Sequence, residues 1–435
     1  MKPAPISRRF IHFSALASAW IAAAAALAMP GSAAAAPWKI RVTAGDVDRS
    51  NLPLRARIDL PESAASAGAA VRIRTADGPQ VDGQLVPVPL FDSAAQGPAG
   101  TVPRDIVFVL PKVAAGSEVE VEAEIIAAAE AAAETRLRWA EEPGASSLLL
   151  GGTPVVRYEM PAYDESSEAG RLKTYKPFHH VFDPATGIRI TKGDGGQFTH
   201  HRGIFFGYNR ISHGEDQKKS SDCWHCKRPA RQQHRSVIEQ SAGAVEGLQR
   251  VAIDWIGSES RKIIDEVREL AVVPVPGGTV IDFASRLQAG EPIRLDGDPQ
   301  HSGVHFRASN EVHESTKAQT YYLRPGLQAK PGDYRNWPAD KTYVNAPWHA
   351  ASFVLGGQRY TVLRVNRPAN PGEARMSERD YARFGSYFEY DLTPAKPLEV
   401  GYRFWVQSGE LTLAEAARIA ADYARPALVT VSGGN

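Results

Sequence analysis

The chain has 435 residues, 43% of them hydrophobic and 23% charged, with a formal charge of +1. These totals fit a soluble globular protein with a real core. They exclude a disordered, fibrous or strongly basic chain, and with it an electrostatic footprint for nucleic acid. Two cysteines exclude a disulfide scaffold.

The first segment reads as an address. Ser7-Arg8-Arg9-Phe10-Ile11 precedes an apolar, Ala-rich run from about Phe13 to Met29, and Gly31-Ser32-Ala33-Ala34-Ala35-Ala36 follows. A charged region, an apolar region and a small-residue cleavage zone make an export signal over residues 1–35. Its paired arginines are twin-arginine-like. Pro37 blocks a cut after Ala36, so cleavage is expected near Ala34. No stretch reaches the ~20 large apolar residues of a stable membrane span. The mature chain is therefore expected to be periplasmic or secreted and free of the membrane after cleavage. The signal takes Lys2, Arg8 and Arg9 with it and no acid, which brings the formal charge to −2.

From Trp38 to about Glu124 apolar and polar residues alternate in short runs. Lys39-Ile40-Arg41-Val42, Leu54-Arg55-Ala56-Arg57-Ile58, Val71-Arg72-Ile73-Arg74 and Val119-Glu120-Val121-Glu122 are examples. Period two marks half-buried strands, and the turn residues between them predict a small β-sandwich over residues 36–135. Ile125 to Ala140 is Ala/Glu-rich and is read as a candidate helix, with Glu141-Glu142-Pro143-Gly144 marking a boundary. A larger unit is expected over residues 146–426. Its strand runs include Val155–Tyr158, Gly203–Gly207, Val251–Trp255, Val280–Phe283, Ala351–Leu355, Tyr360–Leu363 and Val400–Val406. Without a βαβ rhythm, an antiparallel β fold is predicted. One helix closes the chain. Thr412 and Glu415 form a capping box, Leu413, Ala416, Ala417, Ile419 and Ala420 supply an apolar face, and Pro426 stops it.

Histidine carries the chemical signal. Of 12, all but His12 lie between His179 and His349. In Thr199-His200-His201-Arg202-Gly203, a strand would put His200 and Arg202 on one face and His201 on the other. Arg202 could grip a carboxylate and a histidine could move a proton, or the group could cap a strand end. In His301-Ser302-Gly303-Val304-His305-Phe306-Arg307, a strand would align His301, His305 and Arg307 on a cleft-lining or solvated face. Asp222-Cys223-Trp224-His225-Cys226 offers a weak metal set in Cys223, His225 and Cys226, a disulfide, or a sugar platform built on Trp224 and Asp222. In Tyr387-Phe388-Glu389-Tyr390-Asp391 a strand would align Tyr387, Glu389 and Asp391, placing carboxylates for glycosidic acid–base work. A G-x-S-x-G elbow, a phosphate loop, H-E-x-x-H and a dinucleotide fingerprint are all missing.

Several of these segments together resemble a known family. Lys176-Pro177-Phe178-His179-His180, Asp183-Pro184-Ala185-Thr186-Gly187 and His200-His201-Arg202-Gly203-Ile204-Phe205-Phe206-Gly207 are similar to the bacterial PmoA-like family, domain of unknown function 6807. Asp222, Trp224 and His234, then Asn366-Arg367-Pro368-Ala369-Asn370, Arg379-Asp380-Tyr381 and Tyr402-Arg403-Phe404, extend the match over roughly residues 150–425. The Cys223/Cys226 pair and the wording around His301 depart from it. The resemblance implies an exported protein of carbohydrate breakdown and a large antiparallel supersandwich of mutarotase or lyase type.

The expected function is a carbohydrate-active enzyme, foremost a glycoside hydrolase. A lyase on uronic-acid glycans and a non-catalytic sugar-binding protein are the alternatives. His200, His201, His305, Asp222 and Glu389 are the candidate catalytic residues. His180, Arg202, Trp224, His234, His301, Arg307, Asp380 and Tyr381 are the candidate substrate contacts. A carbohydrate is the expected partner. No cofactor is predicted, a bound metal ion is left open, and nothing in the pattern fixes an oligomeric state.

Overall fold

A computed structural model describes residues 37–75, 80–94, 96–126, 136–298 and 300–434. The export segment lies outside the described residues. Among them, no helix is long and apolar enough to cross a membrane.

The fold is mainly β, in antiparallel sheets, with a C-terminal helix. Seven strands form the first sheet, in the order 49–61, 101–113, 81–87, 70–75, 118–125, 38–43 and 428–433. Alternation dictates their burial. Trp38, Ile40 and Val42 point inward while Lys39 and Arg41 face water. The N-terminal unit expected as a small sandwich is one sheet coiled on itself. Its outer strands, 49–61 and 428–433, touch. Each strand has one apolar face, and coiling buries all of them around a shared core of Ile40, Leu54, Ile73, Ile106, Phe108 and Val121 without a second sheet. Leu428–Gly433, not anticipated from the sequence, is the strand that completes it.

Two larger sheets face each other as a sandwich. One has eight strands, ordered 375–379, 383–387, 302–307, 204–208, 178–181, 153–159, 145–150 and 137–142. The other has nine, running from 231–242 to 327–328 and including 247–256, 262–275, 278–288 and 398–408. Between them lies a continuous core that includes Phe206, Val304, Phe306, Trp255, Phe283 and Phe404. Each such aromatic or aliphatic side chain contributes about 1.5–3 kcal/mol by leaving water.

The candidate helix over Ile125–Ala140 lies mostly outside the described residues, and only its end differs from expectation. Residues 127–135 lie outside the described residues, and Leu137–Glu142 is a strand paired with Ala145–Leu150. Pro143-Gly144 is its hairpin turn, with Gly144 at φ +77°. The C-terminal helix spans Leu413–Ala424 with the predicted Thr412/Glu415 capping box. Ala416, Ile419 and Ala420 are buried, whereas Ala417 is exposed. This helix is tied to the N-terminal sheet by the buried pair Arg49–Asp422 at 3.0 Å.

Candidate functional site

The side-chain period of two sorts the eight-stranded sheet into two faces. In Ile204–Tyr208, the residues Ile204, Phe206 and Tyr208 enter the core and Phe205 turns outward. In Ser302–Arg307, Val304 and Phe306 enter the core, so His305 and Arg307 share the outward face. Phe205 stands opposite His305, which stands opposite Gly385. Loop 222–226 lies against this face at Gly207, where a Cβ would meet the Cys223 carbonyl at 2.6 Å.

Three histidines converge there. The His200 ring centroid is 4.4 Å from that of His225, and His225 is 4.9 Å from His301. Each offers a ring nitrogen within 4.8 Å of the other two, and all three are half-buried. Two are held by carboxylates in the same way. His225 Nδ1 lies 2.8 Å from Asp222 Oδ2, and His301 Nδ1 lies 2.8 Å from both Asp298 oxygens. Each aspartate also accepts backbone N–H groups in its own turn, from His225 at 2.8 Å and from Gln300 at 2.9 Å. Burial opposes ionisation of both acids, but the histidine contacts outweigh it. Asp222 is lowered and Asp298 is held down to about 2. His200 Nε2 is buried without a hydrogen-bond partner. Burial and the neighbouring imidazoles push His200 down to about 2.

A cationic floor lies beside this group. Arg307, Arg383 and Lys192 are buried, and none pairs with a carboxylate among the described residues. Arg307 Nη1 donates to the Tyr381 carbonyl at 2.6 Å, while its Nε and Nη2 have no partner. Arg383 Nη1 donates to His305 Nδ1 at 3.2 Å, so His305 Nε2–H donates to Ser302 O at 3.0 Å. Lys192 is bound by backbone carbonyls, including that of His201 at 3.2 Å. Burial and the adjacent arginines lower it to about 7. Both arginines are lowered to about 10, chiefly by burial. His201 borders the floor with both ring nitrogens unpartnered. Burial, then Arg383, His200 and Arg307, hold it well below its ordinary value. Its ring is 4.3 Å from His200 and 5.3 Å from the exposed Phe198.

Several expectations are corrected. Residues 198–202 form a turn before the strand, so the predicted separation of His200 from His201 onto opposite faces does not occur. Arg202 grips no carboxylate: it is fully buried, stacks 4.5 Å from Tyr175 and donates to the carbonyls of Thr199, Leu172 and Lys173. Trp224 presents no face to a sugar, being wholly buried between Phe205 and His305. Asp222 orients His225 rather than standing free as an acid. Glu389 is paired with Arg294 and with Arg375 at 2.7 Å. Tyr387, Glu389 and Asp391 do not share one strand, because pairing breaks between 387 and 390. His301 precedes its strand, leaving only His305 and Arg307 aligned.

The remaining candidates divide in the same way. His180 is buried against Thr191 at 2.9 Å, and His234 contacts the Tyr158 hydroxyl at 3.3 Å on a strand of the other sheet. Tyr381 covers Arg307 at 4.3 Å, and Asp380 is half-buried in the adjoining turn. Cys223 and Cys226 are free, buried thiols. Their sulfur contacts are the carbonyls of Ile256 and Cys223, so the cysteine–histidine metal set is not assembled. Sequence reasoning missed Asp298, Lys192 and Arg383. A signal for the first existed: Asp222-x-x-His225 recurs as Asp298-x-x-His301.

Fold and site together define a β-sandwich protein with a histidine-rich, cation-floored outer sheet face. The chain belongs to the family of unknown function DUF6807, whose model matches residues 145–421, more than half of its length. The PmoA-like association is not part of that match. No curated protein sequence matches the chain. Solved structures similar to it include three that follow. A glycosyl hydrolase family 38 protein from Enterococcus faecalis aligns at TM-score 0.45 and 8% identity, over 92% of this chain and 48% of its own. This chain thus spans about half its length. A galactose mutarotase related enzyme from Lactobacillus acidophilus aligns at 0.31 and 10%, over 63% and 98%. A galactose mutarotase-like protein from Clostridium acetobutylicum aligns at 0.32 and 9%, over 64% and 100%. All three scores lie below 0.5, so none of these likenesses bears on activity.

Proposed function

We propose that the protein is an exported carbohydrate-active enzyme that cleaves acidic glycans by β-elimination. One observation carries the reading: Arg307, Arg383 and Lys192 lie buried beside the unpartnered imidazole of His201 without a carboxylate of their own. Buried charge without a partner is costly, and a substrate carboxylate supplies the missing partner. Burial is the first cause of the lowered basicity of His201, and the same anion offsets the second, the repulsion from Arg383 and Arg307, which makes the imidazole a better base. His201 then accepts the proton α to the uronate carboxylate. The C–O bond β to that carboxylate breaks, a C=C bond forms, and the leaving oxygen takes a proton from solvent. The cations stabilise the charge that develops on the carboxylate in the transition state.

This elimination replaces the glycoside hydrolase reading because that chemistry needs two available carboxylates. Asp222 and Glu389 are both engaged, with His225 and with Arg294 and Arg375. Export rests on the segment over residues 1–35. The test is a panel of uronic-acid and neutral polysaccharides, followed by ultraviolet absorbance of unsaturated product and by reducing-end release. The expected result is absorbing product from a uronate polymer with wild type and its loss in His201→Ala. Reducing ends without absorbance, or no product from any uronate polymer, sinks the elimination reading.

A further inference from the structure

We infer that His200, His225 and His301 form a binding site for one divalent transition-metal ion, with zinc the best fit. The inference deepens the site proposed above by naming its ion, and its test is independent of any glycan.

The donor set comes first. Three imidazole nitrogens within 4.8 Å of one another are borderline ligands suited to zinc, copper, nickel or iron, and unsuited to calcium or magnesium, which select oxygen. The second observation is the orientation of the rings. Asp222 and Asp298 take the Nδ1 protons of His225 and His301, each at 2.8 Å. That fixes the tautomer and leaves each Nε2 with a free lone pair, the carboxylate–histidine arrangement that supports metal ligation. The third is His200, whose Nε2 is buried and unsatisfied. A polar nitrogen buried without a partner carries a desolvation cost that a metal bond removes. Three nitrogens bonded tetrahedrally at about 2.0–2.1 Å lie about 3.3 Å apart, so the rings close by roughly 1.5 Å or less on binding. The half-buried side chains accommodate this by rotation.

Ligand number then states the kind of site. Three protein ligands leave one position open to water or substrate, the pattern of a catalytic rather than a structural zinc. The ion would sit beside His201 and the cationic floor, where it adds a Lewis acid for an anionic substrate oxygen. The cysteines take no part, since both thiols are buried and turned to backbone carbonyls.

The test uses tag-free mature protein, stripped with chelator and titrated calorimetrically with Zn²⁺, with Mg²⁺ as a control. One Zn²⁺ per chain is expected, without Mg²⁺ binding. His225→Ala and His301→Ala should each weaken zinc at least 100-fold. Asp298→Asn, in an exposed turn where folding is not at risk, should weaken it 10–100-fold. Cys223→Ser/Cys226→Ser and His234→Ala should bind as wild type does. Co²⁺ loading should give visible absorption of a tetrahedral ion without a thiolate charge-transfer band. Absence of stoichiometric Zn²⁺, wild-type zinc affinity in His225→Ala or His301→Ala, or a thiolate band each overturns the site. Zinc binding without cleavage of any glycan leaves the metal site standing and sinks the proposed activity. Glycan cleavage by a protein that takes up no zinc does the reverse.

Discussion

Gly203→Ala isolates why glycine ends the His-His-Arg-Gly motif. Gly203 has φ +48°, and a Cβ there would sit 2.0 Å from the His179 carbonyl oxygen. That oxygen is backbone in the strand Phe178–Val181, which pairs with Ile204–Tyr208 at His179–Ile204. No side chain can swing away, so one strand must move. The left-handed conformation costs about 1–2 kcal/mol for a residue with a Cβ, and overpacking adds about 1–3 kcal/mol. The sum is about 2–5 kcal/mol, with centre near 3–4. Gly151→Ala supplies the control. Gly151 has φ +57° with nothing within 4 Å of its Cβ, so only the conformational part, about 1–2 kcal/mol, applies. Urea denaturation of wild type and both variants, followed by tryptophan fluorescence, reads the difference. Gly203→Ala should lose about 2 kcal/mol more than Gly151→Ala at unchanged m-value. A gap under about 0.5 kcal/mol would refute the close approach as the reason for this glycine.

Buried histidines give the protein an acid limit. Burial lowers His180 to about 3 and His349 to about 4, and holds His179 and His305 well below their ordinary value. Unfolded histidine titrates near 6.5, so below that pH the unfolded chain binds more protons and stability falls. The contribution is full above pH 6.5 and is lost towards pH 4, at about 1 kcal/mol per histidine between pH 6.5 and 5.5. These four, with His200 and His201 held down as well, predict a loss of at least about 4 kcal/mol over that unit, and a urea midpoint flat across it would contradict their neutrality. Arg49→Ala leaves Asp422 with Arg418 alone, at 3.3 Å, in the interface between helix and first sheet, and should cost about 1.5–3 kcal/mol by chemical denaturation. A loss below 1 kcal/mol would show that the pair is not buried in solution. Burial pushes the Cys223 and Cys226 thiols up, so the native protein should resist a thiol reagent that labels both within seconds in denaturant. Prompt labelling of the native chain would contradict their enclosure.

Period-two alternation, apolar runs and the capping box were sufficient to place eleven of the described strands and the last helix. They report local periodicity, which is a property of neighbouring residues. The candidate helix over Ile125–Ala140 falls mostly outside the described residues, and its last residues belong to the strand Leu137–Glu142, which pairs with Ala145–Leu150 across a tight turn. The histidines were visible as a cluster in sequence, yet His200, His225 and His301 were assigned to separate roles. Arg202 and Trp224 have the chemistry of ligand contacts, and burial converts both into supports.

The sequence by itself therefore determined which residues alternate, where the chain turns, and that histidine is concentrated in one region. Tertiary structure alone decided which of them meet. Antiparallel pairing of Ile204–Tyr208 with Ser302–Arg307, and the seating of loop 222–226 on Gly207, gather three separate segments onto one face. Pairing of Ser302–Arg307 with Arg383–Tyr387 sets Arg307 opposite Arg383 on that same outward face, with no acid paired to either. The physical reason is range. A side chain's partner in a sheet is set by register across strands nearly a hundred residues apart, and burial, which fixes both charge state and availability, exists only once those strands are packed.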